Sequence, residues 1–135
     1  MDGWYKKRSA EDPQSDFLME QAAISKALHC FCQLELDGIA LKVDGRIVAM
    51  TLASRMSPDT FDVHFEKAET EVDGAYAAVN CEFARYLREK YPDVKFLNRE
   101  DDMGIEGLRK AKESYYPHHM VEKCWACLLE EGYEY

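Results

Sequence analysis

Lys112 is the residue whose setting most suggests chemistry. In the stretch Gly107-Leu108-Arg109-Lys110-Ala111-Lys112-Glu113-Ser114-Tyr115, helical spacing puts Ile105, Leu108, Lys112 and Tyr115 on one face, so the lysine runs along an apolar stripe. An ammonium held there can neutralise the oxyanion that develops when an amine or hydroxyl attacks an ester or thioester, or can meet a phosphate of the donor. The same pattern also fits a lysine stem that merely covers apolar surface. His64 and Glu66 project from one side of a strand otherwise built for a core, and either can accept a proton from an attacking nucleophile, although a solvated sheet face gives the identical pattern. Lys67 faces the other way, towards a carboxylate partner. Asn98 and Arg99 follow a second strand, the position from which side chains reach a ligand in an open sheet. Arg99 can hold a carboxylate or phosphate bidentately, or be consumed by the adjacent acids Glu100 and Asp101. Tyr76 and Tyr115 are packing residues first and proton donors second.

These residues need elements to hold them. Asp12 with Pro13 at the first helical position, or Ser15 or Asp16 slightly later, predicts a helix start, with Phe17, Ile24, Leu28 and Phe31 following at helical spacing and Asp37-Gly38 ending the connection. Ile39 to Val43 and Arg46 to Ala53 flank Asp44-Gly45, the signature of a tight hairpin. After a turn at Ser57-Pro58-Asp59, Thr60 to Ala68 alternates, placing Phe61, Val63 and Phe65 on one face and Asp62, His64 and Glu66 on the other. A polar loop from Glu71 to Gly74 leads into a helix with Tyr76, Val79, Phe83 and Leu87 on one face, closed by Pro92. Val94 to Asn98 is a short strand, and its distance from the preceding one favours a right-handed parallel crossover. A helix from Ile105 to Ser114 and a last strand from His119 to Leu129 complete the order. The expected fold is α/β or α+β: a three-strand antiparallel meander, a parallel crossover strand and a final strand, with helices on both faces. Residues 13–135 are expected to form one domain behind a flexible leader of residues 1–12. In such sheets ligands gather at the carboxyl ends of the parallel strands, here Ala68 to Tyr76 and Asn98 to Met103.

Charge narrows the partners. With 26 acidic against 17 basic residues in 135, the net charge of -9 repels nucleic acid and anionic membranes on average. Arg109, Lys110 and Lys112 form the one concentrated basic patch, too modest to grasp tRNA tightly unaided. No apolar run approaches the ~18 residues of a membrane span, and the chain reads as cytoplasmic. The five cysteines read as reduced thiols. A zinc site from Cys30, Cys32, Cys124 and Cys127 is not expected: positions three apart in a strand face opposite sides, and positions two apart in a helix diverge by roughly 200°. His118 and His119, adjacent in a strand, point apart as well, so no metal is expected.

Several ordered motifs carry a resemblance. Val43-Asp44-Gly45-Arg46-Ile47-Val48-Ala49, His64-Phe65-Glu66-Lys67-Ala68, Gly74-Ala75-Tyr76, Asn80-Cys81-Glu82-Phe83-Ala84, Asn98-Arg99-Glu100-Asp101 and Gly104 to Lys112 closely resemble the phosphatidylglycerol lysyltransferase C-terminal domain family, from about Glu20 to Ala126. The resemblance implies a GNAT-like fold and transfer of an acyl or aminoacyl group, with a coenzyme A thioester or an aminoacyl-tRNA as donor. Family members look like tandem GNAT proteins of about twice this length, and this chain corresponds to the second half. Its cleft would then be completed by an N-terminal half or by self-association as a homodimer. Thr70 to Ala75 takes the place of the pyrophosphate-binding segment of GNAT enzymes, which makes Gly74, Ala75 and Tyr76 candidate ligand contacts. It has a single glycine, and Glu71 and Asp73 disfavour phosphate unless they point away. Glu66 lies nearer than His64 to the strand end where GNAT clefts open. Lys112 matches the lysine of Fem-type peptidyltransferases. The competing expectation is a non-catalytic GNAT-fold module that contributes structural or dimer contacts.

Overall fold

A computed structural model of the chain describes residues 17–124 and 126. In order, these form α1 (Phe17–His29), β1 (Leu36–Val43), β2 (Arg46–Ser57), β3 (Thr60–Ala68), α2 (Ala75–Lys90), β4 (Phe96–Asn98) and α3 (Glu106–Glu113). They divide into two compact units at the Glu100/Asp101 boundary.

The first unit is a four-stranded sheet in the order β1-β2-β3-β4, antiparallel through β3 and parallel between β3 and β4. Asp44 and Gly45 both take positive φ, 51° and 79°, the pair of left-handed residues that a two-residue hairpin turn requires to match strand twist. β2 is buried from Val48 to Ala53 without a break because both faces are covered. Met50 and Leu52 pack with Ile24 of α1, while Ala49 and Ala53 pack with Ala75, Val79, Phe83 and Leu87 of α2. A strand covered on both sides reads as a continuous apolar run.

β1 starts earlier than the sequence suggests: Asp37 and Gly38 open the strand instead of ending a connection. A Cβ on Gly38 would stand 2.5 Å from the Thr51 carbonyl oxygen and 2.8 Å from Leu52 Cδ2, so backbone of β2 occupies the space of a side chain. Gly38→Ala is therefore expected to destabilise the unit by about 1–3 kcal/mol, as overpacking does, and to lower the melting temperature in a thermal scan. An unchanged melt would mean that the β1–β2 edge yields to an added methyl group without cost.

Beside Gly38, Asp37 is 5% exposed and accepts hydrogen bonds from Tyr86 Oη (2.6 Å), Lys90 Nζ (2.6 Å) and Tyr91 Oη (2.7 Å). Arg55 lies over the Tyr91 and Phe61 rings and pairs with Asp93 at 2.8 Å. These contacts tie the last turns of α2 to β1 and β2.

Two expectations are corrected. β3 does not keep one alternation throughout. Ala53 pairs with Val63 but Leu52 pairs with Phe65, so His64 is the extra residue of a β-bulge and the faces exchange beyond it. Phe61 and Val63 pack towards α2, whereas Phe65 packs with Ile24, Met50 and Leu52 on the α1 side. The last strand is likewise not found over residues 119–124, which carry no ladder pairing; Trp125 and residues 127–129 lie outside the described residues, as do residues 1–12 of the expected leader.

The second unit is built on local contacts. Asp101 Oδ1 accepts from the Met103 N–H at 3.1 Å and Asp102 Oδ1 from the Gly104 N–H at 2.8 Å, turns that short acidic side chains favour. Asp102 also pairs with Arg109 of α3, and this hydrogen bond, helped by the Gly104 N–H, pulls its carboxyl down to about 2. Glu106 and Lys110 add an i, i+4 ion pair at 2.6 Å. No residue of α3 is buried.

Candidate functional site

β3 and β4 pair at three positions, Thr60–Phe96, Phe61–Leu97 and Asp62–Asn98, and then part. The parting begins where β3 bulges: a bulge bends its strand and tightens the twist, and β3 runs on to Ala68 paired with β2 while the chain leaves the sheet after Asn98. Beyond Asn98 this edge of β3 has no strand beside it among the described residues, at the carboxyl ends of the two parallel strands, the locus at which open sheets receive ligands.

Glu66 lies on this stretch of β3. Its Oε1 accepts from Arg99 Nη2 at 2.7 Å and its Oε2 from Asn80 Nδ2 of α2 at 3.1 Å. The Glu66 and Arg99 side chains are 11% and 23% exposed. Thr51 is directly across the β2–β3 ladder from Glu66, hence on the same face. It is fully buried, and its Oγ1 has no hydrogen-bond partner among the described residues. An unmet buried hydroxyl costs about 1–3 kcal/mol, so its presence in an otherwise apolar stretch calls for a reason.

α2 enters at the same end. Gly74, with φ 75°, is its N-cap and contributes no side chain; Ala75 is buried against Ala68 at the end of β3, and Tyr76 is 39% exposed. Gly74 leaves the helix entrance open, and the first-turn N–H groups give it positive polarity. Glu71 and Asp73 of the preceding loop are both exposed.

The expectation that His64 and Glu66 share a side does not hold, because the bulge separates them. Glu66 turns to α2, while His64 Nε2 lies 2.7 Å from Ser54 Oγ and Nδ1 lies 3.5 Å from Asp62 Oδ2 on the opposite face. Lys67 faces away from Glu66 and pairs with a carboxylate, Glu20 of α1, at 2.6 Å. Asn98 Oδ1 accepts from the Glu100 N–H at 2.9 Å and so fixes the turn after β4. Arg99 finds a carboxylate 33 positions back in sequence, at Glu66. Lys112 and Tyr115 belong to the second unit. Lys112 is half-buried and its Nζ donates to the Asp101 carbonyl oxygen at 2.6 Å; Tyr115 is 45% exposed.

Sequence reasoning missed Asn80 and Thr51. Asn80 was within reach of it: four positions after Tyr76 and three before Phe83, a polar residue falls on the face that must be buried. Thr51 gave no such signal, since a β-branched residue suits any strand position. A shallow groove of about 350 Å³ between α2 and β4, lined by Ala84, Leu87, Arg88, Val94, Lys95, Phe96 and Leu97, shares no residue with this polar group.

The family model described as phosphatidylglycerol lysyltransferase, C-terminal, matches residues 1–127. The chain belongs to this family. A conserved protein of unknown function from Bacteroides thetaiotaomicron is 45% identical, with a TM-score of 0.77, over 88% of this chain. That match takes up 39% of the Bacteroides chain, so the lysyltransferase C-terminal domain seen here spans well under half of that relative. A possible acetyltransferase from Clostridium difficile 630 superposes with a TM-score of 0.65 at 10% identity, over 96% of this chain and 91% of its own. AAC(6')-Iy, solved with the bisubstrate analogue CoA-S-monomethyl-acetylneamine, gives 0.59 at 11% identity over 96% and 90%. At such identities the likeness establishes the GNAT fold of this lysyltransferase-family domain and nothing finer. No curated protein matches the chain.

Proposed function

We propose that this domain transfers an acyl or aminoacyl group to an amine or hydroxyl acceptor, with the donor lying in the gap between β3 and β4. One observation carries this: the parallel pairing stops after three positions, at the bulge in β3. A coenzyme A thioester suits such a gap, and AAC(6')-Iy, of the same fold, is solved with a coenzyme A-derived analogue. An aminoacyl-tRNA is the alternative donor that membership in a lysyltransferase family suggests. The acidic chain and its small basic patch argue that tRNA is not gripped tightly by this domain alone.

Glu66 is the proton acceptor on the gap-facing side of β3. The amine lone pair attacks the donor's acyl carbon, the carbon–sulfur or carbon–oxygen bond to the leaving group breaks, and the proton lost by the amine passes to Glu66. Lys112 stabilises the negative charge on the carbonyl oxygen as it develops. Gly74, Ala75 and Tyr76, at the open entrance of α2, and Asn98 and Arg99, after β4, contact the donor. His64, on the far face, has no part in this scheme. Among the described residues no helix is long and apolar enough to cross a membrane. Both donors are cytoplasmic compounds, and a cytoplasmic location is proposed with them. Residues 13–135 are proposed to work as one GNAT-like domain, as a homodimer or beside an N-terminal GNAT half.

The test is mass spectrometry after incubation with acetyl-CoA or aminoacyl-tRNA and a panel of amine, hydroxyl and lipid acceptors. An acceptor gaining the mass of the acyl group is the expected result. No transfer in any combination overturns catalysis by this chain. That outcome favours a non-catalytic module serving structural or dimer contacts, a second reading supported by the 39% share of the Bacteroides relative that it spans.

A further inference from the structure

The polar group beneath the gap contains an imbalance. Glu66 is acceptor-only when ionised, and its two oxygens are engaged by Arg99 and Asn80. Thr51, its direct partner across the ladder, has a buried hydroxyl with no hydrogen-bond partner among the described residues. Valine would fill the same volume without a polar atom to satisfy. Paired residues on one face keep their Cβ atoms about 4.5–5.5 Å apart, so a change in the Glu66 side-chain torsions brings Oε1 within reach of Thr51 Oγ1. That movement requires Oε1 to leave Arg99, while Asn80, holding Oε2 from the rigid helix α2, serves as the pivot. Arg99 itself lies one residue beyond the last rung of β4, and its planar fork suits a phosphate as well as a carboxylate.

We propose that the Glu66–Arg99 pair is the resting state of an anion-exchange site: a phosphate oxyanion entering the gap takes Arg99, and the released Glu66 carboxylate turns to the Thr51 hydroxyl. The inference rests on the donor-gap reading above and deepens it. It accounts for the buried Thr51 hydroxyl, which the turned Glu66 carboxylate satisfies. It also couples donor binding to catalysis. Glu66 is tied to a guanidinium until the donor arrives, and only then is released from Arg99 to stand beside the Thr51 hydroxyl. Arg99 and Thr51 are positioning residues in this scheme.

The experiment is calorimetric titration of the whole chain and three variants with two probes, inorganic pyrophosphate and coenzyme A, each variant being checked by thermal melting. Glu66→Gln removes the competing charge and is expected to tighten binding about tenfold, whereas Arg99→Met is expected to weaken it by about tenfold or more. Thr51→Val separates exchange from a merely structural role: it should raise the melting temperature, because an unmet buried hydroxyl is lost, yet weaken binding severalfold. If Arg99→Met fails to fold, Arg99→Lys keeps the charge without the fork and is expected to bind with intermediate affinity. Equal affinities in wild type and Glu66→Gln, or in wild type and Thr51→Val, overturn the exchange, as does failure of both probes to bind any of the proteins. Pyrophosphate following the pattern while coenzyme A does not bind upholds the exchange and removes the coenzyme A donor. Coenzyme A binding alike to all four proteins leaves the donor gap and overturns the exchange.

Discussion

Lys112→Met is expected to lower the transfer rate by about ten- to a thousandfold, the range seen when one stabiliser of an oxyanion is removed, with little change in melting temperature. Methionine keeps an unbranched stem of similar length, so the apolar cover that Lys112 gives α3 survives while the ammonium does not. The lysine is half-buried and its Nζ is fixed on the Asp101 carbonyl oxygen at 2.6 Å. That bond orders the side chain before any substrate arrives. The readout is the initial rate of acyl gain by the acceptor, followed alongside a melt. Unchanged turnover removes Lys112 from the chemistry, and a rate loss accompanied by an equal loss of fold would assign it to structure instead. Lys112→Ala is a poorer choice because it removes stem and charge together.

Asp37→Ala is expected to cost about 3 kcal/mol of folding stability, because the residue is a buried acceptor for three donors, one of them charged. Tyr86, Tyr91 and Lys90 would lose their common partner, and the last turns of α2 their tie to β1. The pH dependence gives a second readout. Burial pushes the Asp37 carboxyl up, but the hydrogen bonds from Lys90, Tyr86 and Tyr91, together with the Lys90 charge, outweigh it and leave the group below its usual value of 3.8. A depressed carboxyl stabilises the fold fully above its unfolded-state pKa and loses that contribution as pH falls through the lower folded-state value. Denaturant melts of wild type should therefore weaken on acidification below 3.8, and Asp37→Asn should weaken less over the same window. Parallel pH profiles for the two proteins would show that Asp37 is not the group responsible.

How far these features are legible in the sequence depends on how far apart their partners lie. The Asp44-Gly45 turn and the Val79, Phe83, Leu87 face of α2 are local patterns, and both are found where the residues put them. The bulge at His64 is not legible, because Phe61, Val63 and Phe65 keep perfect alternation in residue type. Only the register against Leu52 and Ala53 reveals that one residue is extra, and register is a property of two strands. The same holds for the site. Glu66 and Arg99 can each be nominated from strand ends, but their contact spans 33 positions, and a lone sequence carries no measure of that distance. Lys112 along an apolar stripe is visible from helical spacing; the carbonyl that receives its ammonium is not, since the turn at Asp101 and Asp102 decides it.

The three-position pairing of β4 has a consequence for how the sheet comes apart. An edge strand held by so few rungs has the least to lose on detaching, so it should be the first part of the sheet to open and the last to be secured. Amide exchange in Phe96–Asn98 would then run ahead of exchange in β2, whose hydrogen bonds are shielded on both flanks. The seam proposed as the donor site is thus also the weakest line in the sheet, and anything that fills it should slow exchange there well before it alters the global melt.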